Sequence, residues 1–194
     1  MNLKIIKNLI TTIVIVSLFL AFILFLYQFL GYDRYSFEGE DASMPTELHP
    51  LIAKKKEQLI KEAKNLEITV VITESIRTIE RQDELYTLGR TKEGNIVTYA
   101  KGGESYHNYG LAIDFAIMKH KDELTWDINY DGNENGSSDW FEVADIAKEL
   151  GFEWGGDWSK FKDYPHLQMT FDLSIKQLQR GIRPKEDLDH HDAR

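Results

Sequence analysis

The stretch Gly102–Phe115 reads "GGESYHNYGLAIDF", and the rest of the chain falls into place around it. Its first half is rich in Gly and Tyr and predicts a loop that carries His107. Its second half is apolar and predicts a strand. Period two along "LAIDFAI" (111–117) sets Leu111, Ile113, Phe115 and Ile117 on one face, with Ala112, Asp114 and Ala116 on the other. The bulky face belongs to a core. The second face has only alanines beside its carboxylate, which leaves space there. A carboxylate inside such a run costs several kcal/mol unless it is paired or bound to a metal.

Working outward, "EITVVIT" (67–73) is β-branched and predicts a buried strand, and "HLQMTF" (166–171) another, with His166, Gln168 and Thr170 on one face. A helical pattern starts at Glu47, with Leu48, Leu51, Ile52, Leu59, Ile60 and Ala63 at three- and four-residue steps. Thr78 opens a second helix that Gly89 closes, and a third runs from Asp139 to Leu150 and stops at Gly151. Residues 91–103 are turn-rich and read as a loop. Strands and helices alternate too irregularly for a doubly wound sheet. The expected class is α+β, a small antiparallel sheet with flanking helices.

Composition narrows the function. The chain has 194 residues, 42% hydrophobic and 12% aromatic, enough for a packed core. Its net charge is -9, from 23 basic and 32 acidic residues, which argues against a nucleic-acid partner. There is no cysteine, so disulfides, thiolate metal sites and cysteine nucleophiles are excluded.

From Leu9 to Leu30 the chain runs 22 residues without a charge. A helix of that length spans roughly 33 Å, enough for a hydrocarbon core of about 30 Å. Lys4 and Lys7 precede it and an acid-rich stretch follows, so the positive-inside tendency places the N-terminus in the cytoplasm and the remainder outside. Tyr27, Tyr32 and Tyr35 fall at the expected outer aromatic belt. A cleaved signal peptide is the rival reading, but its apolar core is shorter and ends in small residues, whereas "FLYQFLGYD" is bulky. The expected organisation is an anchor over residues 1–30, a linker over 31–46, a catalytic domain over 47–183 and a polar tail over 184–194. Beyond the anchor's two lysines the charge is -11.

Of six histidines, His49, His120, His190 and His191 suit solvated or capping roles. His107 and His166 lie at Gly- or Pro-marked entries to strands. If those strands are neighbours, two imidazoles and the Asp114 carboxylate converge as a three-ligand zinc site with a fourth position open. On spacing alone the bland reading stays open, with His107 in a loop and Asp114 capping a turn, because H-x6-D is an unspecific pattern.

"SYHNYGLAIDF" resembles the S-x-H-x-x-G-x-A-x-D signature of the VanY-type zinc peptidases of peptidoglycan, and "DYPHLQ" resembles their second motif. The similarity runs from about residue 66 to 172, and within the family it leans towards the L-alanyl-D-glutamate endopeptidases and related phage endolysins. It implies zinc on His107, Asp114 and His166, with Asp163 as general base in a segment that Pro165 keeps extended. It also implies that Arg77 stabilises the oxyanion and that Ser105 and Gln82 bind substrate. The family's usual Ser-Gly-Tyr-Arg is here Glu74-Ser75-Ile76-Arg77.

"DGNENGSSDWFE" (131–142) fits a twelve-residue calcium loop. Asp131, Asn133, Asn135, Ser137 (through its carbonyl), Asp139 and Glu142 fall at ligand positions, and Gly136 at the sharp turn. The plain alternative is an Asn/Gly turn in which Asp139 caps the next helix. Together these readings predict a monomeric, membrane-anchored zinc endopeptidase acting on stem peptides at the wall side of the membrane. The alternatives are a D-Ala-D-Ala carboxypeptidase and a non-catalytic wall-binding module.

Overall fold

The computed structural model describes residues 3–29, 34–119 and 123–188. Tyr32, His120, His190, His191 and the tail from residue 189 lie outside the described residues. The chain divides into two compact units, Met1–Ser36 and Phe37–Arg194.

The first unit holds α1 (Leu3–Phe29). Its span Lys4–Tyr27 is long and apolar enough to cross a membrane, a property that a signal sequence near an N-terminus shares. A short strand, β1 (Tyr35–Phe37), follows inside the expected linker.

In the second unit, α2 (Pro50–Asn65) starts three residues later than the apolar spacing suggested. His49 is its N-cap, with Nδ1 accepting from the Leu51 N–H, and Pro50 takes the first position, where no donor is needed. The capping role expected of His49 is therefore what it has. Its Nε2 also reaches the Lys185 carbonyl at 3.0 Å. The next elements are β2 (Thr69–Glu74), α3 (Ile79–Thr87, capped by Thr78) and β3 (Ala112–Met118). Then come β4 (Leu124–Thr125), α4 (Asp139–Glu149), β5 (Glu153–Trp154), β6 (His166–Gln168), α5 (Ile175–Gln179) and β7 (Ile182–Pro184).

β3 is the centre of an all-antiparallel sheet in the order β2-β3-β6-β5, with β4 also on β3. Ile113, Phe115 and Ile117 are fully buried, and the Phe115 ring lies 4.9 Å from that of Trp140 on α4. That is the core face of the alternation, with α2 and α4 beneath it. The other face presents a row across strands: Asp114 pairs with His166, and two residues along, Ala112 pairs with Gln168, itself opposite Glu153. Directly opposed residues share a face and approach closely, so the register alone brings Asp114 and His166 together.

Two expectations need correction. The strand expected over 166–171 ends at Gln168, because Phe171 and Asp172 take positive φ values of 50° and 58° and turn the chain. The segment before His166 is a tight turn rather than extended chain, since the His166 N–H donates to the Asp163 carbonyl at 3.1 Å. That turn brings Asp163 back beside His166.

Candidate active site

His107 reaches the sheet from a 3-10 turn over Tyr106–Tyr109 that ends in Gly110 at φ 67°. A side chain at Gly110 would put its Cβ 2.5 Å from the Glu47 carbonyl oxygen, so the close approach of these two loops requires glycine. The turn is tied to the segment after β2. The Arg77 N–H donates to the His107 carbonyl, and the buried Asn108 amide donates to the carbonyls of Arg77 and Thr78. Asn108 stands out in no sequence pattern. Its role follows only from tertiary contact.

His107 Nδ1 lies 2.8 Å from the Ser75 carbonyl oxygen. A carbonyl only accepts, so Nδ1 carries the proton and Nε2 presents a lone pair. That Nε2 lies 3.1 Å from Asp114 Oδ1 and 3.1 Å from His166 Nδ1, and the third edge, His166 Nδ1 to Asp114 Oδ1, is 3.2 Å. A tetrahedral ion bound at about 2.0–2.1 Å spaces its ligands by roughly 3.3 Å, so the triangle has the right size. Among the described residues this is the one group of three His, Asp or Glu ligands able to share an ion. The donor set fits a divalent metal.

Burial would raise the Asp114 carboxyl, but the bonds and charge of His107 and His166 outweigh it and hold the group well below the usual carboxylate range. For His166 burial pulls the other way, and the Asp114 partnership still lifts its pKa above the ordinary 6.5. A proton on His166 therefore competes with the metal to a higher pH than for a free imidazole. Metal affinity is expected to weaken as pH falls through neutrality. Titrations between pH 8 and 6 check this, and a pH-independent affinity would contradict it.

Arg77 sits on the outer side of Asp114. Its Nη2 donates to Asp114 Oδ2 at 3.1 Å, its Nη1 donates to Gln82 Oε1 at 3.0 Å, and Nε faces Glu74 at 3.5 Å. The guanidinium thus turns Oδ1 of Asp114 towards the ligand cluster. Gln82, expected to touch substrate, is fully buried. Its amide NH2 donates to the Ala100 carbonyl at 2.8 Å and to Thr98 Oγ1 at 3.3 Å. With both ends of its amide taken, Gln82 fixes Arg77 and does not face the cleft.

The ligand cluster lies at the floor of a cleft of about 640 Å³, lined in part by Arg77, Ser105, Asp163, Trp158 and Phe161. Asp163 is half-buried, and burial pushes its carboxyl up, while the His166, His107 and Arg77 charges act against that and the Asp114 charge adds to it. Gly155 makes the Asp163 turn possible, because a Cβ there would lie 2.4 Å from the Asp163 carbonyl oxygen. The Trp154 indole N–H donates to the Tyr164 carbonyl and braces the same turn. The Trp158 ring lies 5.2 Å from that of His166, and Tyr99 meets Phe161 edge-on at 5.3 Å. Trp158 ends the "GFEWGGDW" stretch that shares the family resemblance, whereas Tyr99 and Phe161 carry no sequence signal of a cleft wall.

The 131–142 loop is separate from this cluster. The backbone N–H groups of Asn135 and Gly136 donate to Asp131, and Gly136 has φ 89°. The amides of Asn133 and Asn135 donate to Glu142, and Asp139 is buried and accepts from the Gly132 N–H. Ser138, rather than Asp139, caps α4.

An antiparallel sheet presenting three convergent ligand atoms beneath an open cleft has the arrangement expected of a hydrolytic metal centre. Comparison with known proteins makes the class specific. A family profile of the M15 peptidases, described as D-alanyl-D-alanine carboxypeptidase, matches residues 98–169. The chain is 62% identical over 130 residues to the peptidoglycan L-alanyl-D-glutamate endopeptidase CwlK of Bacillus subtilis (strain 168), covering 67% of this chain and 78% of that protein. It is 38% identical over 104 residues to the L-alanyl-D-glutamate peptidase of Listeria phage A118, covering 54% of this chain and 31% of the phage protein. Among solved structures, the Serratia marcescens L-Ala D-Glu endopeptidase ChiX aligns with a TM-score of 0.45 at 24% identity, over 64% of this chain and 81% of that one. The chain belongs to the M15, VanY-like family of metallopeptidases.

Proposed function

We propose that the protein is a zinc-dependent endopeptidase that hydrolyses the L-Ala–D-Glu bond of peptidoglycan stem peptides. The identity to CwlK supports this bond. The observation that favours internal cleavage over removal of a terminal D-Ala is the state of the cleft's cations. A free cationic side chain is the strongest holder of a substrate's terminal carboxylate. Among the described residues lining the cleft Arg77 is the sole Lys or Arg, and its Nη2 and Nη1 are taken up by Asp114 and Gln82 while Nε faces Glu74. A tetrapeptide stem, which lacks the D-Ala–D-Ala bond, separates the two activities. The endopeptidase cuts it at L-Ala–D-Glu, and a carboxypeptidase specific for D-Ala–D-Ala leaves it intact.

In this reading His107, Asp114 and His166 hold the zinc. Bound zinc supplies Lewis acidity and brings a water's pKa towards neutrality. Asp163 accepts the water proton on its carboxylate and returns it to the leaving amine. Its raised pKa suits both halves of that transfer. Arg77 keeps Asp114 oriented, and its positive field favours the charge that develops on the substrate carbonyl. Ser105 lines the cleft wall, which supports its reading as a substrate-binding residue.

α1 is read as the membrane anchor of a monomeric enzyme, with residues 47–183 as its catalytic domain on the wall side. The apolar span of Lys4–Tyr27 supports this. For the 131–142 loop we infer calcium binding, supported by the ligand pattern and by the N–H groups that gather on Asp131. In place of the present amide contacts to Glu142, an ion would draw that carboxylate inward. Millimolar calcium is then expected to raise the melting temperature, and Glu142→Gln to remove that rise; no response of the unmutated protein would refute it.

A further inference from the structure

His166 is the ligand whose useful nitrogen is least obvious. It faces the metal cluster with Nδ1, so its other nitrogen, Nε2, must carry the ring proton if the lone pair is to point inward. Nε2 lies 3.0 Å from Gln168 Oε1. An amide can present either its oxygen or its nitrogen there, and the wrong end would favour the wrong tautomer. What decides is the next residue out. Gln168 Nε2 donates to Glu153 Oε2 at 2.9 Å, and a carboxylate only accepts. Glu153 therefore keeps the amide nitrogen on its own side and the amide oxygen towards His166. Its other oxygen, Oε1, accepts from Thr170 Oγ1 at 3.0 Å, which holds the carboxylate in place.

The sheet builds this chain of contacts. Gln168 is opposite Glu153 across β5–β6 and opposite Ala112 across β3–β6. The small side chain of Ala112 leaves the row clear. His166 and Gln168, each 6% exposed, are shielded from water, and Glu153 closes the chain at the surface. We propose that Glu153 and Gln168 are positioning residues for the metal: through the fixed polarity of the Gln168 amide they commit the His166 Nδ1 lone pair to the ion. This rests on the zinc reading above and assigns how the third ligand is prepared.

The experiment uses the full chain in detergent. Zinc affinity is measured by competition with a chromophoric chelator, and the His166 tautomer by nitrogen-15 NMR of the zinc-loaded protein. Gln168→Leu removes the acceptor and is expected to weaken zinc binding about 10- to 100-fold. Glu153→Gln, at an exposed position with little bearing on folding, frees the amide polarity and is expected to weaken it several-fold, with a mixed tautomer signal. The exchanged pair, Glu153→Gln with Gln168→Glu, again gives His166 an acceptor-only partner and is expected to restore both affinity and tautomer. A purely structural role for these residues would not predict that rescue. Glu153→Gln binding as tightly as the unmutated chain with an unchanged tautomer, or an exchanged pair no better than the single variants, would overturn the relay alone. An unmutated chain that takes up no zinc would overturn the metal reading and the relay with it.

Discussion

Asp163→Asn is expected to leave zinc bound while lowering kcat by about 10²- to 10⁴-fold, the range a positioned general base contributes. The separation of these two effects is what matters. Asp163 is outside the three-ligand cluster, so the substitution removes no ligand. Its backbone already does its folding work, with the N–H donating to the Gly155 carbonyl and the carbonyl accepting from His166, and asparagine keeps both bonds. What is lost is a half-buried carboxylate able to take and return a proton. Metal analysis and turnover on one purified preparation make the comparison. Wild-type turnover would remove Asp163 from the mechanism and require another group to take the water proton.

Asp114→Ala is expected to abolish both zinc retention and peptide cleavage. The carboxylate supplies one edge-sharing ligand atom 3.1 and 3.2 Å from the two histidine nitrogens, and it also receives the Arg77 guanidinium. Without it two imidazoles remain, with a nearby positive charge that repels a cation. The loss in affinity should exceed the 10- to 100-fold typical of an outer partner. Equilibrium dialysis against zinc checks the binding half. A variant that still held one equivalent of zinc would show that the ion lies elsewhere.

The site was legible in the sequence wherever burial conflicted with chemistry. Asp114 in an apolar, alternating run demanded a partner, and the β3–β6 register supplies His166 directly opposite. Spacing carried no such force for Gln82, whose place beneath Arg77 depends on a contact with the 98–100 segment. The same holds for Asn108, which ties two loops together. The turn at Tyr164–Pro165 was misread because a proline restricts the residue before it without deciding whether the chain then folds back. The shorter strand at 166–168 reflects two consecutive non-glycine residues with positive φ, which tertiary packing imposes and composition does not announce. Elements of two to five residues, such as β4, β5 and α5, are too short to show a period.

Mass spectrometry of defined muropeptides digested by the full chain with zinc tests the central claim most directly. The account predicts a single new cut between L-Ala and D-Glu, abolished by a chelator and restored by zinc. Release of terminal D-Ala alone, with the L-Ala–D-Glu bond intact, would contradict it.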